Sequence, residues 1–292
     1  MNSCQPLRML PVASPAPSGS HAGFHPYRRL RDQLLGLPAG QWVSRCSLLA
    51  RERGLHSAGG APISFAAGGE AAGALAYESA ILKSGRVSCR TEGRGALHDL
   101  HNALVWLTFP KIKSALNRLH FERGCPRGEG TVLEVAAQLP GGRGRVRDAV
   151  TLLDESGLLW ISSSSLLDEQ LRARNWRGLL IRNRALLQAS VLPIIIGHGL
   201  LEKLAMPYKA MTAHCLVCDG WPVGDGWPAG KGIADCAIAH WATIDASVAG
   251  RIEALFARGA PVLPALPVLG LPDWDPANND PSYYDDACVF RR

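Results

Sequence analysis

Apolar residues recur along this chain mostly at helical spacing, interrupted by short runs with strand character. In PYRRLRDQLLG (26–36), Tyr27, Leu30, Leu34 and Leu35 share one face and Gly36 marks the end, which predicts a helix. A second short helix is expected over 44–53, closed by Gly54, and PISFA (62–66) reads as a strand. ALAYESAILKSGRVSCR (74–90) is expected to form a hairpin turning at Ser84-Gly85, with Tyr77, Ala80 or Ile81, Val87 and Cys89 on its arms; a helix over 76–83 competes with it. Residues 97–122 are helical in pattern, with Pro110 as a break that also suits the first turn of the helix after it. AVTLLDESGLLWIS (149–162) reads as a second hairpin, two apolar arms flanking a turn of Asp154, Glu155, Ser156 and Gly157.

Further on, SLLDEQL and NWRGLLIRNRALLQ continue the helical pattern, and VLPIII (191–196) is a buried strand by length and β-branching. HGLLEKLAM is helical as far as Pro207, TAHCLVC (212–218) alternates like a strand, and a helix is expected over about 233–257. PRGEG, PGGRGRVR and GWPVGDGWPAGKG have loop composition. The proline-rich segment after 260 is expected to wrap the surface, because proline cannot join a central ladder. Helices mixed with antiparallel hairpins define an α+β fold: a flexible tail over 1–24, then a single globular domain over 25–292.

Composition narrows the function classes only a little. A chain of 292 residues with 47% hydrophobic and 19% charged residues builds a substantial core and is not disordered. A formal charge of +6 is compatible with an acidic partner without requiring one. No apolar run approaches the ~18–20 residues that span a bilayer, so no membrane association is expected. The N-terminal stretch lacks the continuous apolar core of a secretion signal, which points to the cytoplasm and to reduced thiols for the 8 cysteines. Cys215 and Cys218 form a single CxxC after His214, without the second pair of a structural zinc site.

Candidate chemistry begins in LHDLHNALVWLTFP (97–110). On a helix, Leu97, Leu100, Ala103, Leu104 and Leu107 form a buried stripe, while His98, His101 and Asn102 lie on the other side beside Asp99. The apolar end of the same helix implies burial all round, so this polar face should look into a cleft. His98 and Asn102, at i and i+4, are placed to act together. In IIIGHGLLEKL, His198 opens a helix at a strand end and Glu202 comes one turn later, a spacing that chelates a cation or pairs a base with its orienter. Asp148, Asp154 and Glu155 form a third acidic group, readable as turn chemistry by itself. No nucleophile elbow, phosphate loop or HExxH is present, which leaves His/Asp/Glu work: divalent-metal or metal-free acid–base catalysis.

The motifs GGAPISF, AYESAILKSGRV, HDLHNALVWLTFPKIKSALN, RDAVTLLDESG, GHGLLEKL, PYKAMTAH and LPVLGLPDW, with YYDD and VFRR at the end, resemble in unbroken order a bacterial family of unknown function most familiar in proteobacteria. The resemblance spans about 25–292 and implies one cytoplasmic domain without an assigned activity. It maps recurring polar positions onto His98, Asp99, Asn102, Asp148, Asp154, Glu155, His198, Glu202, Asn278, Tyr284 and Asp286. An aromatic stands in the family where this chain has His101, which favours His98 with Asn102 as the functional pair.

The sequence supports three readings. The first is a hydrolase-like enzyme acting on a small-molecule or polymer substrate. His98, Asp99, Asn102, His198 and Glu202 form its site, and His98, His198 and Glu202 are its ligands if a divalent metal is used. Asp148, Asp154, Glu155, Tyr284 and Asp286 are its candidate binding residues. The second is a nucleic-acid-binding module using Arg143, Arg145 and Arg147 together with Arg172, Arg174, Arg177, Arg182 and Arg184 around Trp176. The third is a non-catalytic protein whose polar clusters lock its packing. The first requires that imidazoles 98 and 198 meet in one concavity.

Overall fold

A computed structural model describes residues 21–38, 40–68, 73–124, 142–220 and 238–291. The chain starts with helices α1 (Arg28–Leu35) and α2 (Gln41–Glu52), then strand β1 (Ser64–Ala67), helix α3 (Ala74–Ser84) and strand β2 (Arg86–Cys89). β1 and β2 pair in parallel as a small separate sheet. Next come helices α4 (Gly93–Thr108), α5 (Pro110–Gly124) and α6 (Gly142–Ser156), then β3 (Gly157–Ser162) and α7 (Ser165–Arg172). A π-helical turn leads into α8 (Arg184–Ser190), and the chain continues through β4 (Val191–Ile195), α9 (His198–Lys203), β5 (Thr212–Cys218), α10 (Ile238–Ala257) and β6 (Ala265–Pro267).

The main sheet has the order β4-β3-β5-β6, with β3 antiparallel to β4 and parallel to β5, and β5 antiparallel to β6. Every residue of β3 is buried, which explains why GLLWIS is apolar nearly throughout: both of its faces are covered. The prolines sort to the margins, Pro193 in edge strand β4 and Pro267 in edge strand β6, where a missing N–H breaks no central ladder. The fold is α+β, and antiparallel pairs do occur in it. Neither expected hairpin does.

Both apparent hairpins are helix-to-strand units. Residues 74–84 are α3, the competing helical assignment, which Gly85 ends in the left-handed region at φ 68 before β2 starts. Residues 142–156 are α6, so Asp154 and Glu155 lie in its last turn and are not turn residues. The apolar arm is helical: Val146, Ala149, Val150 and Leu153 are buried, at helical spacing. Part of the expected PGGRGRVR loop is therefore the first turn of α6.

Order also reaches further toward the N-terminus than 25, since Phe24 is fully buried and the Gly23 N–H donates to the His21 ring. The rest of the expected tail, the PRGEG segment and nearly all of GWPVGDGWPAGKG lie outside the described residues. The C-terminal segment wraps as its prolines require, and it is pinned down. Arg184 donates to the Tyr284 hydroxyl (3.0 Å) and to Asn278 Oδ1 (2.8 Å), and Asn278 donates to the carbonyls of Leu269 and Leu271.

One apolar cluster runs through the molecule, with Trp106, Trp160, Tyr27, Phe24, Phe109 and Phe256 among its largest members. Helix α4 is central to it. Its C-terminal half is buried all round, and it packs on α9, which also packs on α6. Helix α5 begins at Pro110, where the N–H groups of Lys111 and Ile112 are capped from α10 by the Asp245 carboxylate, each at 2.9 Å. No helix among the described residues is long and apolar enough to cross a membrane.

Candidate functional site

Glycines bring the site together. At the junction of α6 with β3 and of β4 with α9, backbone meets backbone. A Cβ on Gly197 would stand 2.4 Å from the Gly157 nitrogen and 2.6 Å from Ser156 Cα, and one on Gly199 would stand 2.5 Å from Glu155 Oε2. That close approach seats the first turn of α9 against the last turn of α6, so His198 lies beside Asp154 and Glu155. Helix α4 lies against α9 on the other side and delivers His98 to the same point.

The His98 and His198 Nε2 atoms are 3.0 Å apart, and Glu155 Oε1 stands 3.4 Å from His198 Nε2 and 4.0 Å from His98 Nε2. Behind His98, Nδ1 meets Glu202 Oε2 at 2.9 Å. With Nδ1–H donating to that carboxylate, His98 Nε2 carries a bare lone pair directed at His198. Behind His198, Nδ1 is buried without a hydrogen-bond partner among the described residues, and Asp154 Oδ2 stands 3.9 Å away. Burial, only partly offset by Asp154, pushes the His198 imidazole down to about 3, so it is neutral at physiological pH.

Asp154 is paired with Lys113 of α5, whose side chain is only 5% exposed. Burial by itself would raise the Asp154 carboxyl, but Lys113, His198 and His120 together hold it well below the usual carboxylate range. Glu155 is raised, by burial first and then by Asp154, with His98 acting against the shift.

These groups open onto a cavity of about 310 Å³ lined also by Tyr77, Glu78, Ser88, Arg90, Asp99 and Asn102. Asp99 does not project a free carboxylate. It accepts from the Arg90 backbone N–H (2.7 Å), from Nε (2.9 Å) and from Nη2 (2.8 Å), a clamp that ties α4 to the end of β2. Asn102 Nδ2 donates to the Tyr77 hydroxyl at 2.9 Å. Glu78 accepts from Asn117 at 2.6 Å, and burial with the neighbouring Asp154 charge pushes its carboxyl up to about 7.

Other sequence candidates are not brought here. Asp148 is exposed nearly two turns earlier on α6, beside Arg145 and Leu152 in a separate surface depression. Tyr284 donates to the Gly270 carbonyl at 2.9 Å and Asp286 pairs with Lys209 at 3.2 Å, both within the C-terminal wrap. His101 is fully buried and stacked on Phe24, away from the His98–His198 pair. The expected His198–Glu202 couple is not made either, since Glu202 serves His98 across the helix interface.

Tyr77, Glu78, Ser88, Arg90 and Lys113 are among the lining and supporting residues that sequence reasoning missed. Reading 74–90 as a hairpin hid the first two, although the helical alternative puts both on the early turns of α3. Lys113 had no signal beyond a cation inside an apolar helical pattern.

Cys215 and Cys218 are buried free thiols on β5, and odd spacing along a strand sends them to opposite faces, so they do not chelate together. The nucleic-acid reading loses its stacking residue. Trp176 is 6% exposed, with its indole N–H donating to the Arg291 carbonyl at 2.7 Å, while Arg177 pairs with Asp285 and Arg184 is spent on the C-terminal segment.

Fold and site together define an α+β protein with a paired-histidine, carboxylate-lined pocket. The chain belongs to DUF3025, a family of proteins of unknown function, whose profile matches residues 63–292 and so covers every residue of the pocket. No curated protein and no solved structure matches this chain.

Proposed function

We propose that this protein is a metal-dependent hydrolytic enzyme whose divalent cation, of the zinc class, is held by His98 Nε2, His198 Nε2 and Glu155. The observation that carries this reading is the convergence of those three donor atoms on the cavity, all within 4.8 Å of one another. Donors around a tetrahedral cation at ~2.0–2.1 Å stand about 3.4 Å from each other, and the separations of 3.0, 3.4 and 4.0 Å bracket that value. A His₂Glu set is a donor set of catalytic zinc sites, in which the remaining position is left to water or substrate.

The sequence reading placed Glu202 among the ligands; the geometry favours Glu155, with Glu202 behind His98 as the carboxylate that fixes its tautomer. A cation held here would lower the pKa of a coordinated water toward ~7 and polarise a carbonyl. Glu78 supplies a carboxyl that titrates near neutrality in the same cavity.

Metal analysis of the purified protein, joined to calorimetric titration with zinc and manganese, tests the reading. One equivalent of cation per chain is expected, abolished in His98→Ala and His198→Ala variants that stay folded. Variants that unfold alike with and without metal, from a protein that takes up none, would instead assign the cluster to locking α4 against α9.

A further inference from the structure

The pocket also constrains the ligand that faces the cation, an inference that rests on the proposed cation site. Asn102 lies one turn after His98 on α4, so both side chains leave the same face of the helix. It is 7% exposed, lines the cavity, and its Oδ1 is buried without a hydrogen-bond partner among the described residues. Its Nδ2 donates to the Tyr77 hydroxyl. As the amide is oriented, Nδ2 gives one hydrogen to the hydroxyl and Oδ1 takes none among the described residues. The Tyr77 oxygen therefore receives a hydrogen bond and keeps its own proton to give, and no acceptor takes that proton among the described residues. Burial, with Glu78, holds the phenol well above its ordinary pKa, so it stays a donor.

Charge limits what the donor can meet. The carboxyl groups of Glu78, Asp99, Asp154, Glu155 and Glu202 surround the centre, while Arg90 and Lys113 are each engaged with a carboxylate. A dication offsets part of that excess and leaves no surplus of positive charge for a phosphate dianion, which is ordinarily held by arginine forks or lysines.

We propose that Tyr77, positioned by Asn102, donates a hydrogen bond to an oxygen of a small acyl compound, a neutral carbonyl or a monocarboxylate, bound beside the His98–His198–Glu155 centre. Phosphate esters are excluded by the same charge pattern.

Cobalt(II)-loaded protein reports ligand binding through its visible bands, with acetohydroxamate as the acyl probe and inorganic phosphate as the comparison. Hydroxamate should shift the bands saturably. Tyr77→Phe should weaken it about tenfold with cobalt affinity unchanged, Asn102→Leu should weaken it less, and phosphate should give no saturable change. If cobalt binds and Tyr77→Phe holds hydroxamate as tightly as the wild type, the Tyr77 assignment is wrong while the cation site stands. Saturable phosphate binding overturns the acyl class. If cobalt is not taken up, the cation site falls and this inference falls with it. Should Tyr77→Phe unfold, the wild type labelled with 13C-tyrosine decides: the Tyr77 ring carbon bearing the hydroxyl must shift when hydroxamate is added, and an unmoved signal overturns the proposal.

Discussion

The Nε2 atoms of His98 and His198, 100 positions apart in the chain, lie 3.0 Å from each other. Two bare lone pairs repel at that distance, so a proton or a cation must sit between the rings. Glu202 settles which imidazole offers the lone pair without a cation, because it takes the Nδ1 proton of His98.

The carboxylate behind His98 is expected to tune cation affinity without touching the cation. Glu202→Gln should weaken zinc binding by roughly 10–100-fold, read by calorimetry, with the far-ultraviolet dichroism unchanged. In the wild type, zinc at a hundred times its Kd should add about 2.7 kcal/mol of stability, and that increment should vanish in His198→Ala.

Gly199 separates geometry from chemistry. A Cβ there would press on Glu155 Oε2, the movable end of a flexible side chain, and stand 3.1 Å from the Glu155 carbonyl. Gly199→Ala should therefore displace the Glu155 carboxylate at a cost of about 1 kcal/mol or less in urea unfolding, while zinc affinity falls at least tenfold. By contrast, Gly197→Ala meets main chain and should lose well over ~2 kcal/mol.

The buried Lys113–Asp154 pair should be costly to break and cheaper to replace. Lys113→Met leaves a buried, unpaired carboxylate, and a loss of about 3–5 kcal/mol in chemical denaturation is expected. The double variant Lys113→Met with Asp154→Leu should recover much of that loss. Because the Asp154 carboxyl is held below its ordinary value, its contribution is present at neutral pH and disappears as pH falls through the depressed folded value.

His101 predicts a different acid response. Burial, then the neighbouring Arg31 charge, lowers its imidazole to about 4 from 6.5. The folded state resists a proton that the unfolded chain accepts, so stability is full above about 6.5 and declines as pH falls toward 4. His101→Phe should keep the stack on Phe24 and flatten that decline by on the order of 3 kcal/mol at its acid end, measured by urea unfolding at several pH values.

Local periodicity made much of this protein readable. The buried stripe of α4, its polar face at His98 and Asn102, the break at Pro110, strand β4 running into His198, and the exclusion of proline from central strands are all statements about neighbours in sequence. The same method failed at AVTLLDESG, where an acidic, glycine-ended segment fits a hairpin turn and a helix end equally well. Only the packing of Val146, Val150 and Leu153 on the core decides for the helix. That decision moves Asp154 and Glu155 from a surface turn into the site.

The sequence by itself determined which polar side chains share a helix face on each segment, because side-chain type and helical spacing are local properties. Tertiary structure alone decided the partnerships: Glu202 with His98 in place of His198, Glu155 with both imidazoles, Asp99 with Arg90, and Tyr77 with Asn102. The physical reason is that these contacts join different elements of the chain, and around His198 the separations are set by the close backbone approach of Gly157, Gly197 and Gly199. No pattern within one segment encodes such a distance.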